Sequence, residues 1–155
     1  MLAVGDKPAD FVLQDHTGEE VRWEDFRGKP VVVFFYPKAN TPGCTKEACA
    51  FTDLKAQSDE RGVAVLGISA DTVKRQSNFV TKYSLSMPLL ADTEHTVLEP
   101  WGVWGEKKNY GRTYMGIHRA TFLFDKDGVV AAAWPKVKVA GHAEAVLAKA
   151  DELKL

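Results

Sequence analysis

The sequence predicts an α/β domain built on a central mixed β-sheet that is covered on both faces. Three observations carry this reading. The run Val31 to Tyr36 is continuous, β-branched and aromatic, as in a strand buried on both sides. A helical pattern and then a second apolar run, Val63 to Ser69, follow it, and this strand–helix–strand order calls for a crossover unit. Finally, Ala120 to Phe124 and Val129 to Trp134 flank Asp125-Lys126-Asp127-Gly128, a hairpin signal that adds antiparallel pairing.

The remaining elements follow in order. Phe11-Val12-Leu13 and Val21-Arg22-Trp23 flank the turn-like Asp15-His16-Thr17-Gly18 and predict an N-terminal β-hairpin. Pro37 ends the Val31 strand, Pro42 and Gly43 form a loop, and a helix is expected from about Cys44 to Ser58, with Ala48, Phe51 and Leu54 as its apolar stripe. Asp71 is the expected cap of a helix bearing Val73, Val80 and Tyr83. Pro88-Leu89-Leu90 suits a short strand, and Thr96 to Leu98 a brief helix cut off by Pro100. A final helix carries Val146, Leu147, Ala150 and Leu153. No linker, repeat or low-complexity segment interrupts the chain, so residues 1–155 are expected to form a single domain.

Composition excludes several functions. Twenty basic residues against 21 acidic ones give a net charge of −1, which is no footprint for nucleic acid. Lys107-Lys108 and Lys136-Val137-Lys138 read as solvated surface. The N-terminus, with Asp6, Pro8 and Asp10, lacks the apolar core of a secretion signal, and no run approaches the ~20 apolar residues of a membrane helix. Two cysteines in such a chain point to the reducing cytoplasm, and to catalysis or metal binding over a disulfide scaffold.

Those cysteines are the chemical signal. Cys44 is placed where strand hands over to helix, and free N–H groups with the helix dipole favour a thiolate there. A free thiol is only ~3% ionised at pH 7, so a lowered pKa raises the reactive fraction at most about thirtyfold. Enzymatic accelerations of about a millionfold or more need transition-state stabilisation as well. The Thr41 hydroxyl and the N–H groups around Gly43 and Cys44 are candidates, and so is a remote guanidinium. Plainer readings stand beside these. Cys49, between Ala48 and Ala50, also suits core packing, and Thr41 with Pro42 suits simple helix initiation. His16, His95, His118 and His142 have no metal-ligand spacing. Asp125-Lys126-Asp127-Gly128 resembles half a calcium loop but lacks the downstream glutamate, leaving a turn. Trp101 and Trp104 read as packing, with a pocket mouth or an oligomer contact as the alternative.

If both cysteines lie on one helix, the five-residue offset turns Cys49 about 140° away and lifts it ~7.5 Å. That exceeds the ~4.4–6.8 Å between Cα atoms that a disulfide accepts. A bond between them requires the helix start to unwind.

Pro37, Thr41 and Cys44 fit the P-x-x-x-T-x-x-C pattern of the peroxiredoxins. The string Tyr36-Pro37-Lys38 with Thr41-Pro42-Gly43-Cys44-Thr45, and a second cysteine five on, resembles the Q-type or bacterioferritin-comigratory subfamily. The likeness continues through Val103-Trp104-Gly105-Glu106-Lys107, Arg119-Ala120-Thr121-Phe122, and Lys136-Val137-Lys138-Val139 with Gly141-His142. Two departures are Ala39-Asn40, where an acidic residue is common, and Pro100 in a stretch usually helical. The resemblance implies a thioredoxin-like fold and a peroxidase for hydrogen peroxide and organic hydroperoxides, with no cofactor or metal. It makes Cys44 the peroxidatic thiol and Cys49 the resolving thiol. Thr41 would orient the peroxide, Pro37 would shield the sulfur, and Arg119 would stabilise the departing oxygen. Thioredoxin or a similar dithiol protein would be the reductant, and a monomer or weak dimer the assembly. The alternatives are a thioredoxin-type disulfide oxidoreductase, disfavoured by C-x4-C spacing, and a non-enzymatic thiol sensor or copper chaperone.

Overall fold

The computed structural model describes residues 1–155 throughout. Its centre is β3 (Val31–Phe35), paired in parallel with β4 (Ala64–Ser69) and antiparallel with β8 (Ala120–Phe124). Outside β4 lies β5 (Leu89–Ala91), then the hairpin of β1 (Val12–Asp15) and β2 (Glu20–Arg22). Outside β8 lies β9 (Val130–Trp134), which completes a seven-stranded sheet in the order β2-β1-β5-β4-β3-β8-β9.

Alternate residues of β3 feed two cores, as period-2 geometry requires. Val32 and Phe34, with Tyr36 just beyond, face a cluster built with Cys44, Phe51, Phe79 and Val146. These come from the helices α1 (Pro42–Asp53), α3 (Val73–Tyr83) and α4 (His142–Glu152). Val31, Val33 and Phe35 face the second cluster, whose cover is largely aromatic: Trp23, Trp101 and Phe11 pack there with Phe122 and Phe124. Trp101 is thus a packing residue, 3% exposed. Gly67 lets the layers close in β4, since a Cβ there would stand 2.7 Å from Leu89 and 2.8 Å from Phe34. No helix is long and apolar enough to cross a membrane.

Several boundaries differ from the sequence reading. The first long helix starts two residues before Cys44 and breaks at Leu54, continuing as the short α2 (Lys55–Glu60). The cap of α3 is Thr72, whose hydroxyl accepts from Arg75 N; Asp71 is engaged elsewhere. The segment Thr96–Leu98 forms turns and no helix. There, the Asp92 carboxylate accepts from the N–H groups of Thr96, Val97 and Leu98, so the backbone donors of these turns are satisfied by a side chain. Leu153 falls beyond α4 and is exposed. An antiparallel hairpin, β6 (Trp104–Asn109) with β7 (Arg112–Ile117), was absent from the sequence reading. Both its strands are largely exposed, so no apolar alternation marks them. A 3-10 turn, Trp23–Phe26, follows β2.

Candidate active site

The chain leaves β3 through buried Tyr36 and a loop, Pro37 to Thr41, then enters α1 with Pro42 in its first turn. Asn40 holds the loop in a left-handed conformation (φ 63°), which asparagine tolerates better than most residues. Thr41 occupies the cap position by its backbone, and its carbonyl accepts from Thr45 N. Its hydroxyl, however, donates to Lys38 O at 2.8 Å and does not cap the helix. Cys44 is in the first turn, 1% exposed, and packs in the helix-side core.

Sheet register brings Arg119 to this thiol. Phe35 pairs with Ala120, so the residue before β8 lies at the carboxyl end of β3, where α1 begins. Arg119 Nη2 donates to Cys44 Sγ at 3.3 Å, and Nη1 donates to Glu47 Oε1 at 2.8 Å. Cys44 and Glu47 are three residues apart on one helix, so they present side chains to the same guanidinium. The nearest side-chain atom to a Cβ built on Gly43 is Arg119 Nη2, at 3.2 Å, so the glycine keeps this approach open.

The electrostatics follow from burial. Glu47 is 1% exposed and its Oε2 has no partner. Burial pushes its carboxyl up to about 7, although Arg119 pulls the other way. For Arg119, burial opposes the charge, but the Cys44 sulfur and Glu47 more than offset it and hold the guanidinium above its ordinary range. Lys107 is a further member of this neighbourhood, which corrects its reading as solvated surface. It is half-buried and donates to Ile117 O at 2.9 Å. Burial and Arg119 lower its pKa, while Cys44 draws it upward. Lys108, Lys136 and Lys138 are exposed, as expected.

Beside Pro37 opens a cleft of about 420 Å³, walled by Trp104, Tyr114, Met115 and Ile117 with Lys107 and Arg75 among its polar groups. Trp104 packs against His95, the rings tilted by 36° with centroids 4.0 Å apart, and it lines the cleft wall, as the alternative reading allowed. Cys49 is half-buried further along α1, against the same core, and its thiol is pushed up by burial and by Asp53. Both cysteines are free. His142 is buried, shares a hydrogen bond with Thr121 Oγ1 at 2.8 Å, and is pushed down to about 4 by burial and Arg119. Glu47 is the site residue that the sequence reading missed; its only signal was an acid one helical turn after the cysteine.

A buried cysteine at a helix start, hydrogen-bonded by an arginine that precedes the neighbouring strand of a thioredoxin-type sheet, is the arrangement that the resemblance to the thiol peroxidases implies. Comparison with known proteins agrees: the AhpC/TSA family matches residues 4–133. A putative peroxiredoxin bcp of Coxiella burnetii is 48% identical over 148 residues, covering 96% of this chain and 98% of that protein. A PrxQ mutant structure from Xylella fastidiosa has a TM-score of 0.95 at 32% identity, covering 100% of this chain and 99% of that one. The bacterioferritin comigratory protein of Xanthomonas campestris, solved as a trapped intermediate/ligand complex to explain its alkyl peroxide reduction activity, has a TM-score of 0.89 at 39% identity, covering 94% and 92%. The chain belongs to the AhpC/TSA family, within its Q-type or Bcp peroxiredoxins. It is a thiol-dependent peroxidase that acts on hydroperoxides with the help of a reductant.

Proposed function

We propose that Cys44 is the peroxidatic thiol, Cys49 its resolving partner, and thioredoxin or a similar dithiol protein the reductant. The carrying observation is the hydrogen bond from Arg119 Nη2 to Cys44 Sγ, braced by Glu47 on the same guanidinium. The Cys44 thiolate attacks one oxygen of hydrogen peroxide or an organic hydroperoxide. An S–O bond forms, the O–O bond breaks, and the departing oxygen takes up a proton and leaves as water or alcohol. Arg119 supplies positive charge where the anion grows, Thr41 orients the peroxide, and Pro37 limits water at the sulfur. Cys49 then attacks the Cys44 sulfenic acid, releasing water and forming the disulfide. Thiol–disulfide exchange with the reductant restores both thiols.

Both cysteines lie on α1, so the disulfide requires the first turns to open. The start of α1 suits this: it has no side-chain cap and no acidic residue in its first turn. In our reading residues 1–155 act as a single domain, monomeric or weakly dimeric, in the cytoplasm. The test is peroxide-dependent NADPH consumption with thioredoxin and thioredoxin reductase. Sustained turnover supports the cycle; a single stoichiometric oxidation without turnover would make the chain a thiol sensor.

A further inference from the structure

Ala39, at the middle of the Pro37–Thr41 loop, donates its N–H to Asp71 Oδ2 at 2.7 Å. The same oxygen accepts from the Ser69 hydroxyl at 2.7 Å, and Asp71 N donates back to Ser69 Oγ at 3.2 Å. Ser69 Oγ also accepts from Gln76 Nε2 at 3.0 Å; that amide donates again, to Leu90 O at 2.9 Å. The Gln76 carbonyl accepts the hydroxyl of Tyr36, the residue just before the loop. Tyr36, Ser69 and Gln76 are fully buried, and Asp71 is 7% exposed. Arg75 approaches the other carboxylate oxygen of Asp71 only to 3.9 Å, from an exposed position.

This network ties the loop at two points, its entry and its centre, to β4, β5 and α3. None of those elements belongs to α1. A buried polar network whose members are all partnered is rigid. The helix start one residue beyond the loop is held weakly by comparison, because the Thr41 hydroxyl turns back to Lys38 O. A firmly held loop thus meets a marginal helix at Thr41 and Pro42.

We propose that Asp71 is a positioning residue for the peroxidase reaction. Through Ala39 it fixes the loop carrying Pro37 and Thr41, and it confines the opening that follows oxidation to α1. The proposal rests on the assignment of Cys44 and Cys49 above. It predicts opposite effects on two competing steps. With Asp71 removed, Pro37 and Thr41 lose their register against Cys44, which slows attack on peroxide. A loosened loop lets the start of α1 open more readily, so Cys49 captures the sulfenic acid sooner. A second hydroperoxide, which would carry Cys44 to sulfinic acid and release alcohol or water, then competes less well.

The experiment is stopped-flow measurement of both steps in the full chain, with mass spectrometry of the sulfinic share at excess hydrogen peroxide. Asp71→Ala should slow the peroxide step roughly ten- to hundredfold, leave disulfide formation at least as fast as in wild type, and lower the sulfinic share. Asp71→Asn, which keeps an acceptor oxygen for Ala39 N, should restore most of both. An unchanged peroxide rate would overturn the proposal. So would equal slowing of both steps with a lowered Tm, the mark of a merely structural role. If Asp71→Ala does not fold, Ser69→Ala is read by the same two rates: a shift in the same direction supports the clamp, and none refutes it. Wild type that fails to react with one equivalent of peroxide would instead refute the assignment of the thiols.

Discussion

Cys44 and Glu47 lie three residues apart on α1 and share one guanidinium, that of Arg119, 75 positions from Cys44 in sequence. The cation is held between a sulfur and a carboxyl, both buried, with little freedom to leave either. Such fixed charge stabilises a transition state without reorganising as the reaction proceeds.

Arg119 is therefore expected to govern the rate with peroxide. Removing one preorganised donor typically costs on the order of 10²–10³ in rate. Arg119→Ala should show such a loss in the second-order rate constant with hydrogen peroxide, measured by stopped-flow fluorescence. A wild-type rate in this variant would remove Arg119 from the mechanism.

Glu47 makes a prediction about pH and stability. Its folded carboxyl titrates at about 7, above its ordinary 4.5, so the native state binds this proton more tightly than the unfolded chain does. Its contribution to stability is best below about 4.5, declines as pH rises to about 7, and levels off above, a change on the order of 3 kcal/mol. His142 runs the other way. Its folded value near 4 lies below the ordinary 6.5, so its contribution improves from about pH 4 to 6.5. Glu47→Gln removes the first limb and keeps an acceptor for Arg119. Its Tm relative to wild type should rise with pH between about 4.5 and 7; a constant difference across that range would contradict the buried protonated carboxyl.

Much of this fold was legible in the sequence because burial writes periodicity. The run Val31–Phe35 is buried on both faces, and the hairpin around Asp125-Lys126-Asp127-Gly128 has strong turn chemistry. The exposed hairpin Trp104–Ile117 left no such trace, and with it Lys107 was misplaced. At Thr96–Leu98 the chain turns around the carboxylate of Asp92, four to six residues earlier, where a brief helix was expected. Within the site, Pro37 and Thr41 on the loop and Cys44 in the first turn of α1 are close in sequence and visible together. Arg119 reaches the sulfur only through the register of β3 with β8, which no local pattern states, and there the family resemblance supplied the position. Glu47 looked like any helical acid until its burial was known.

Cys49 carries a separate prediction. Cys49→Ser should still consume about one equivalent of peroxide per chain, since the resolving thiol is absent from the first step. Thioredoxin-linked turnover should fall sharply, and excess peroxide should drive Cys44 on to sulfinic acid. In wild type, oxidation should lower hydrogen-exchange protection from Gly43 to about Leu54 while β3 keeps its own. Sustained thioredoxin-linked turnover by the variant, or equal protection in both redox states, would return Cys49 to a packing role.

The most direct test is hydroperoxide consumption by Cys44→Ser beside wild type, with the fold of each verified by circular dichroism. The replacement removes the sulfur that accepts from Arg119 and keeps a small polar group in the same buried turn. The account predicts a folded protein with no peroxide reduction. Turnover by folded Cys44→Ser comparable to wild type would contradict it.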